Sequence, residues 1–303
     1  MWFLFAITTT LIWGLAELFY KKGARPEEAY AHLKICVCVG AVMGLHAAFI
    51  LLTQPIHYNP VNLIRYFPVS LLYIASMAFS FFGMRFIEES ISDPIENTSG
   101  AICSLLCVIF LKETLSPASV AALLVIATGI LGVGFLEKRG PTDRSKKIGK
   151  FMAAVAFSMP FLYALLDALG SFFDIYYLDM ATSPLADVTE DTLELVANTS
   201  YELTFAFCAV VLYIFLRIRK VKFELPRQRD KILAAVFETA GQFTYVYAMS
   251  GNGVIAAPII SAVCAVSLLL SRIFLKEKLT GKQYAFIAMV IVGILMLAVT
   301  EEL

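Results

Sequence analysis

The sequence predicts an all-α integral membrane protein with ten transmembrane helices arranged as two inverted five-helix repeats. Hydrophobic residues make up 59% of the 303-residue chain and charged residues 16%, with a mean hydropathy of +0.78. The charged residues are clustered, so that apolar runs of about 20 residues, the length of a helix that crosses a bilayer, lie between the clusters. The stretch IFLKE also occurs twice, from Ile109 and from Ile273.

Each predicted span is an apolar run of transmembrane length, and the first lacks the basic segment and cleavage site of a signal peptide. In chain order, spans 1 to 10 are Trp2 to Tyr20, Leu33 to Thr53, Ile64 to Ile87, Pro94 to Leu111, Pro117 to Leu136, Ile148 to Gly170, Ser200 to Leu216, Asp230 to Ser250, Val254 to Leu275 and Gly281 to Thr300.

A shift of 164 positions aligns spans 4 and 5 with spans 9 and 10 without a gap. It pairs Pro94 with Pro258 and Gly129 with Gly293, as well as the two IFLKE copies. Such internal similarity indicates duplicated halves, and a duplication of five spans must insert its second copy upside down. We therefore expect a first repeat in residues 1–140 and a second in residues 141–303, the latter with an acidic extracellular loop near residues 172–198.

These features resemble a known family. Ten spans in two halves, Trp13-Gly14 in span 1 and the proline-to-glutamate spacing of spans 4 and 9 are similar to the EamA-type transporters of the drug/metabolite transporter superfamily. The resemblance covers essentially the whole chain. It implies a secondary transporter, and it leaves the substrate open because the family handles amino acids, sugars, nucleotide sugars, amines and drugs.

The orientation follows from the basic residues, which cytoplasmic loops carry in excess. Of the 24 Lys and Arg residues, 22 lie at the connections that follow odd-numbered spans, whereas Arg65 and Lys112 lie on the other side. We therefore expect a multi-pass protein of the cell membrane with both termini outside. The acidic segment 172–198, which has no basic residue, would then be extracellular.

Carboxyl groups inside the spans are the first candidates for a binding site, because ionisable side chains in a bilayer are costly and usually face a cavity. A shift of 150 pairs Glu17 with Asp167 and Trp13 with Tyr163. An aromatic ring one turn from a carboxylate can hold a cation by charge and by its ring face. For Glu17 the alternative is an ion pair with Lys21 near the membrane surface.

Glu238 is the strongest single candidate, because it lies in the middle of span 8. Gln242 and Tyr245 follow at helical spacing and extend a polar face. The alternative is a structural hydrogen bond between helices. In span 7, Glu202 lies beside Tyr201 near the outer end, where a position at the mouth or interface and a position in the binding site are equally compatible with the sequence.

His46 is the one basic group placed in the middle of a span. A hydrogen-bonded packing role and a proton relay are both open for it, because its side chain titrates near neutral pH.

The predicted substrate is a small cationic or zwitterionic amine moved by alternating access, with protons as a further candidate ligand. An anionic substrate would require fixed arginines, and the sequence places none in the middle of a span. The expected site therefore comprises Glu238, Gln242, Tyr245, Trp13, Tyr163, Asp167, Glu17 and Tyr201. A neutral metabolite, a lipid carrier, and a receptor or assembly subunit that transports nothing remain alternatives.

Other functional classes lack support in the sequence. The zero net charge and the absence of a basic stripe argue against nucleic acid as a partner. All six cysteines lie inside spans, and no histidine completes a zinc-like set with Cys103 and Cys107, so we expect no metal and no cofactor. No HExxH or GxSxG motif occurs, which argues against an intramembrane enzyme.

Overall fold

The computed structural model describes residues 1–25, 28–83, 86, 89–136, 150–274 and 279–300, and within these ranges the chain is helical without a β-strand. The helices are α1 Trp2–Gly23, α2 Ala31–Thr53, α3 Val61–Gly83, α4 Glu89–Glu96, α5 Ser99–Leu106, α6 Pro117–Leu136, α7 Lys150–Tyr177, α8 Leu193–Ile218, α9 Arg229–Ile260, α10 Val263–Phe274 and α11 Gly281–Thr300. A π-helical turn, Cys107–Leu111, continues α5, and a 3₁₀ turn, Leu225–Gln228, precedes α9.

Eight helical segments in the described ranges are long and apolar enough to cross a membrane. Two more apolar helices, Pro117–Gly132 and Val263–Phe274, are shorter. Many large apolar side chains on the outside of the bundle are exposed, for example Leu45, Leu52 and Phe207. A bilayer covers such a surface at no cost, whereas water would not, so the chain is a multi-pass membrane protein.

Two helices are interrupted at matching positions. The first break lies at residues 97–98, between α4 and α5, and the second at residues 261–262, between α9 and α10. Side chains at the first break reinforce backbone hydrogen bonds to two carbonyls there. Asn97 Nδ2 donates to Asp93 O (2.8 Å) and Thr98 Oγ1 donates to Ile95 O (2.7 Å), and each carbonyl also accepts from the backbone N–H of the same residue. At the second break, the Ala262 backbone N–H donates to Ile259 O (3.0 Å).

The two breaks meet each other in the bundle. The Gly100 backbone N–H donates to Ser261 Oγ (3.1 Å), and Ser104 Oγ donates to Val254 O. Irregular backbone at membrane depth is tolerated where it is buried in protein or lines a cavity, and both conditions hold at this crossing.

Predicted spans 8 and 9 differ from the helices observed. Only Asn252, with φ −163° and ψ 71°, departs from helical geometry where the prediction placed a connection, and α9 continues to Ile260. The glycine-containing sequence Ser250-Gly-Asn-Gly therefore produces a kink rather than a loop. In the first IFLKE copy the helix ends at Leu111, and Lys112 follows in a left-handed conformation, φ 58°. The second copy lies partly outside the described residues.

The acidic segment expected at residues 172–198 is helical at both of its ends. Residues up to Tyr177 belong to α7 and residues from Leu193 belong to α8, so the connection spans residues 178–192. The prediction ended the helix at the first carboxylates because acidic residues are rare in membrane spans. Asp174 is instead fully buried, where α7 packs on α3.

Four helix pairs make the most extensive contacts: α1 with α9, α2 with α8, α3 with α7, and α6 with α11. Helices α1, α3, α7 and α9, together with the broken helices α4, α5 and α10, surround a space in the middle of the bundle. We call the end of the bundle that carries Lys21, Lys22 and residues 217–231 the basic end, and the end that carries residues 178–192 the acidic end.

Candidate functional site

The space in the middle of the bundle is a cavity of about 960 Å³, which includes volume open to solvent. Three helices each turn one face towards it at the spacing of helical turns. Helix α1 contributes Trp13, Glu17 and Tyr20, α7 contributes Tyr163, Asp167 and Ser171, and α9 contributes Glu238, Gln242 and Tyr245. All eight residues expected at the site from the sequence line this one cavity.

Trp13 lies flat in the wall of the cavity because Gly241 leaves room for it. A Cβ atom at Gly241 would overlap Cδ1 and Nε1 of the indole ring. The indole Nε1 donates to Glu238 O (3.2 Å), and the ring stacks on Tyr245 with centroids 5.1 Å apart. The indole and phenol rings therefore form a fixed aromatic surface that joins α1 to α9.

Glu238 is held by a hydroxyl donor. Tyr20 OH donates to Glu238 Oε2 (3.2 Å), and the Tyr20 ring packs on Phe81 with centroids 4.8 Å apart. The side chains of Glu238 and Tyr20 are both buried within the bundle and line the cavity. The Glu238 carboxyl group thus has a defined position next to the enclosed space.

Five carboxyl groups line the cavity, and none of its described lining residues is Lys, Arg or His. They are those of Glu17, Asp93, Glu96, Asp167 and Glu238. Asp93 and Glu96 were not recognised as candidates in the sequence, although they flank Pro94 at the start of predicted span 4. Ser80 Oγ donates to Glu96 Oε2 (2.7 Å), which fixes this carboxyl group from α3.

A layer of tyrosines closes the cavity towards the acidic end. Tyr73 OH and Tyr245 OH lie 2.6 Å apart, and the hydroxyl oxygen of each lies 3.1 Å from Ser171 Oγ, so the three hydroxyl groups form one hydrogen-bonded cluster. Tyr201 packs edge-on against Tyr73, with centroids 5.7 Å apart. In the described chain, no residue of α7 beyond Ser171 and no residue of α3 before Tyr73 lines the cavity. Tyr73 and Ser171 were missed because single polar residues in a span give no distinctive pattern.

Glu202 lies outside the cavity, in contact with His46. Glu202 is fully buried, its two oxygens lie 2.7 and 2.9 Å from His46 Nδ1, and Asn198 Nδ2 donates to Oε1 (3.0 Å). Two polar residues that were considered separately in the sequence therefore form one contact between α2 and α8. Such a contact was not visible in the sequence because it joins residues 156 positions apart.

A second charged cluster lies at the basic end, around Glu28 in the connection between α1 and α2. The Glu28 carboxylate accepts from Lys34 Nζ (2.6 Å) and from Lys231 Nζ (2.7 Å). Burial acts to raise the pKa of Glu28, but the hydrogen bonds from Lys231 and Lys34 outweigh burial, so the pKa lies below its ordinary value of 4.5. This cluster ties the first connection of the chain to the start of α9.

The carboxyl groups of the cavity do not form a metal site in the described residues. No group of three or more His, Cys, Asp or Glu side chains there is arranged to hold a metal ion. Trp13, Tyr163, Tyr201 and Tyr245 instead place aromatic rings in the same wall as the carboxyl groups. Carboxylates beside ring faces suit an organic cation better than a metal ion.

The fold and the cavity define a polytopic helical membrane protein with a polar central chamber. The sequence model of the EamA-like transporter family matches residues 1–135 and 181–299, so the chain belongs to the EamA-like transporter family. It is therefore a membrane transporter of the drug/metabolite superfamily.

The comparison with solved structures gives the same fold. One crystal structure has a TM-score of 0.73 with 13% sequence identity, over 99% of this chain and 96% of the other. At this level of identity the likeness shows the fold alone. Among curated proteins, no sequence matches this chain.

Proposed function

We propose that the protein is a secondary transporter of a small organic amine, cationic or zwitterionic, and that it works by alternating access. The observation that carries this proposal is the composition of the cavity wall: five carboxyl groups, several aromatic rings, and no Lys, Arg or His among the described lining residues. A protonated or quaternary amine compensates negative charge that the bundle otherwise has to bury.

The aromatic wall supports an amine in preference to a neutral sugar. Trp13 and Tyr245 are stacked on each other and Tyr20 is held on Phe81, so their rings are fixed before a ligand arrives. A cation near the face of a tryptophan or tyrosine gains roughly 0.5–2 kcal/mol, most of it where water is excluded. Pre-ordered rings also reduce the entropy lost on binding.

Alternating access requires two halves that move against each other, and the helix pairing supports inverted five-helix repeats. The two breaks, at residues 97–98 and 261–262, are separated by the same 164 positions that align the sequence. In two such repeats α1 corresponds to α7, and α3 corresponds to α9. The contact of α1 with α9 therefore corresponds to the contact of α7 with α3. The contacts of α2 with α8 and of α6 with α11 each join two corresponding helices. The family model also matches one stretch in each half.

A thermal-shift screen of the purified protein tests the substrate class. Choline-like amines, polyamines, amino acids, sugars and nucleosides are compared on the wild type, on Glu238→Gln and on Glu190→Gln, whose carboxyl group lies exposed in the acidic connection. We expect an amine to stabilise the wild type and Glu190→Gln but not Glu238→Gln. Stabilisation by sugars or anions alone, or an equal shift in Glu238→Gln, would contradict the proposal.

A flux measurement separates a transporter of this amine from a receptor. Proteoliposomes that contain the protein are loaded with the amine found in the screen, and its efflux is followed. We expect efflux that Glu238→Gln abolishes. Binding without efflux would instead favour the receptor or assembly subunit that the sequence left open.

A lipid-carrier permease is the second candidate, and one observation favours it. An apolar groove between α5, α6 and α9 shares Asn97 and Ser261 with the central cavity, so the two spaces meet at the helix breaks. Several groove residues, such as Leu105 and Leu124, are exposed on the lipid-facing side. A transported lipid carrier would be favoured if long-chain alkylamines stabilised the protein and short amines of equal charge did not.

The orientation is part of the proposal. We place the basic end in the cytoplasm of a cell and both termini outside, since basic residues accumulate at the connections that follow odd-numbered spans. An affinity tag after Leu303 should then be accessible to antibody on intact cells. Accessibility only after permeabilisation would reverse the assignment.

A further inference from the structure

Helix α7 carries a second carboxyl group beyond the cavity. Asp167, Ser171 and Asp174 follow one another at about one turn, so they lie along one face of the helix. Asp167 and Ser171 line the cavity, whereas Asp174 lies beyond the tyrosine layer, towards the acidic end. Asp174 is 0% exposed, although the sequence placed it in an extracellular segment.

The surroundings of Asp174 do not satisfy an ionised carboxylate. Tyr66 OH donates to Oδ1, whereas the buried Oδ2 has no hydrogen-bond partner among the described residues. No Lys, Arg or His of the described chain forms an ion pair with Asp174, and the neighbouring Arg65 donates to Pro184 O instead (2.6 Å). A buried carboxylate with a single neutral donor is costly, so a bound proton lowers the free energy of this site.

The other helices that pack on α7 supply only weakly acidic neighbours near Asp174. The titratable side chains of other helices that lie close enough to interact with the charge of Asp174 are Tyr66 and Tyr73 of α3, Cys103 of α5, Tyr201 of α8 and Tyr245 of α9. Helix α4 also packs on α7, and its Asp93 and Glu96 line the cavity. On α7 itself the nearest carboxyl group along the helix is that of Asp167. These groups add no positive charge that would compensate an ionised Asp174.

The contacts of Asp174 depend on the packing that closes the cavity. Tyr66 and Tyr73 lie two turns apart on α3, and they bond to Asp174 and Ser171, one turn apart on α7. A movement of α7 away from α3 would therefore break the Tyr66–Asp174 bond and the tyrosine layer together. The same movement would bring Asp174 into contact with water below the connection 178–192.

We propose that Asp174 is a proton-binding site, and that its protonated form holds the cavity closed at the acidic end. When the helices separate, the carboxyl group loses its proton to water at that end. When they close, it takes a proton back from the same water. This inference rests on the proposed alternating access, and it adds a proton as a ligand of the acidic end.

Infrared spectroscopy of the ligand-free protein in lipid vesicles tests for the bound proton. The carboxylic acid C=O band is recorded across a pH series in H₂O and D₂O. We expect Asp174→Asn to lose one band component and the matched control Glu190→Gln to retain it. Tyr66→Phe keeps the carboxyl group but removes its donor, so the component should persist and move to higher frequency. Identical spectra for Asp174→Asn and the wild type would overturn the proposal.

Hydrogen–deuterium exchange tests whether the proton controls opening. After correction for the chemical exchange rate, amides of residues 61–73 and 171–178 should exchange several-fold faster at alkaline than at acidic pH in the wild type and in Glu190→Gln. Asp174→Asn, which is neutral at every pH, should lose this dependence. Equal pH dependence in Asp174→Asn and wild type would overturn the role in closing.

The two sets of experiments fail independently. Neither the infrared nor the exchange measurement uses a transported ligand. If the wild type binds no amine, and the carboxylic acid band component is missing from Asp174→Asn, the proposed substrate is contradicted and the proton site stands. Amine binding with no such band would do the reverse.

Discussion

The hydroxyl group of Tyr20 donates to Glu238 Oε2 at 3.2 Å, across the interface between α1 and α9. Tyr20 is packed on Phe81 of α3, so the donor is fixed by a third helix. A carboxylate that faces a cavity gains position and partial charge stabilisation from such a donor. The main candidate for amine binding is therefore held by residues of three helices rather than by α9 alone.

The first prediction concerns this hydrogen bond. Tyr20→Phe retains the ring on Phe81 but removes the donor to Glu238, and a hydrogen bond to a charged group contributes about 1.5–3 kcal/mol. We expect amine affinity to fall by about tenfold or more, since about 1.4 kcal/mol corresponds to a factor of ten. Isothermal titration with the amine found in the thermal-shift screen measures the change.

Tyr284→Phe is the matched control for Tyr20→Phe, because Tyr284 is exposed on α11 and does not line the cavity. Its affinity should equal that of the wild type. An unchanged affinity in Tyr20→Phe would show that the Tyr20 hydroxyl does not support the bound state.

The helical membrane fold could be predicted from composition alone, because apolar runs of transmembrane length leave few alternatives. The break positions could not be predicted. Pro94 and Pro258 lie at or near the starts of predicted spans 4 and 9, but each is inside a helix that ends a few residues later. The two breaks contact each other through Gly100 and Ser261, which lie 161 positions apart, and the local sequence does not reveal such a contact.

The candidate site was predicted to the extent that it depends on helical spacing. Trp13 with Glu17 and Glu238 with Gln242 lie on helix faces that the 3.6-residue period defines, and these faces do line the cavity. Asp174 was assigned to an acidic loop because carboxylates that follow an apolar run are typical of the end of a span. It lies instead inside α7. Its burial depends on Tyr66, 108 positions earlier, which the local sequence does not reveal.

The second prediction concerns the crossing of the two broken helices. A Cβ atom at Gly100 would overlap Ser261 Oγ and lie 2.6 Å from Ala257 O, and a backbone atom cannot move aside cheaply. Gly100→Ala should therefore destabilise the protein by about 1–3 kcal/mol, the usual cost of overpacking. Thermal unfolding in detergent provides the measurement.

Gly281→Ala is the control for Gly100→Ala, since a Cβ atom there would meet nothing within 4 Å. It should leave stability unchanged or raise it slightly, because alanine favours helix. Equal melting temperatures for Gly100→Ala and the wild type would mean that the helices can separate at the break without cost.

The third prediction concerns the contact between His46 and Glu202. Removal of His46 leaves the fully buried Glu202 carboxyl group with Asn198 as its remaining side-chain donor. His46→Leu should lower the free energy of unfolding by about 1–3 kcal/mol, the usual penalty when a buried polar group loses a hydrogen-bond partner. The double variant His46→Leu/Glu202→Leu should recover much of that loss, because no carboxyl group remains to be satisfied.

A double-mutant cycle of thermal unfolding measures this coupling. Additive effects of the two substitutions would show that the two side chains do not stabilise each other. Substrate efflux from proteoliposomes should persist in the double variant, since neither residue lines the cavity. Loss of efflux in a well-folded double variant would instead favour the proton relay that the sequence left open for His46.

The fourth prediction concerns the basic end, where Glu28 joins two buried lysines. Lys34 and Lys231 are 6% and 1% exposed, and Glu28 is their shared partner. Glu28→Gln removes the one carboxylate that pairs with both lysines among the described residues. We expect the free energy of unfolding to fall by about 3 kcal/mol, the lower end for a buried pair because the Glu28 side chain is 21% exposed. Glu224→Gln, which breaks an exposed pair with Arg227, should cost less than about 1 kcal/mol.

The dependence on pH follows from the lowered pKa of Glu28. A carboxyl group whose pKa is lower in the folded than in the unfolded protein stabilises the fold fully when the pH is above its unfolded pKa, near 4.5. This stabilisation is lost as the pH falls through the folded pKa. The difference in melting temperature between wild type and Glu28→Gln should therefore be constant at neutral pH and shrink below about pH 4.5. A difference that stays constant into acid would show that Glu28 acts through packing rather than through its charge.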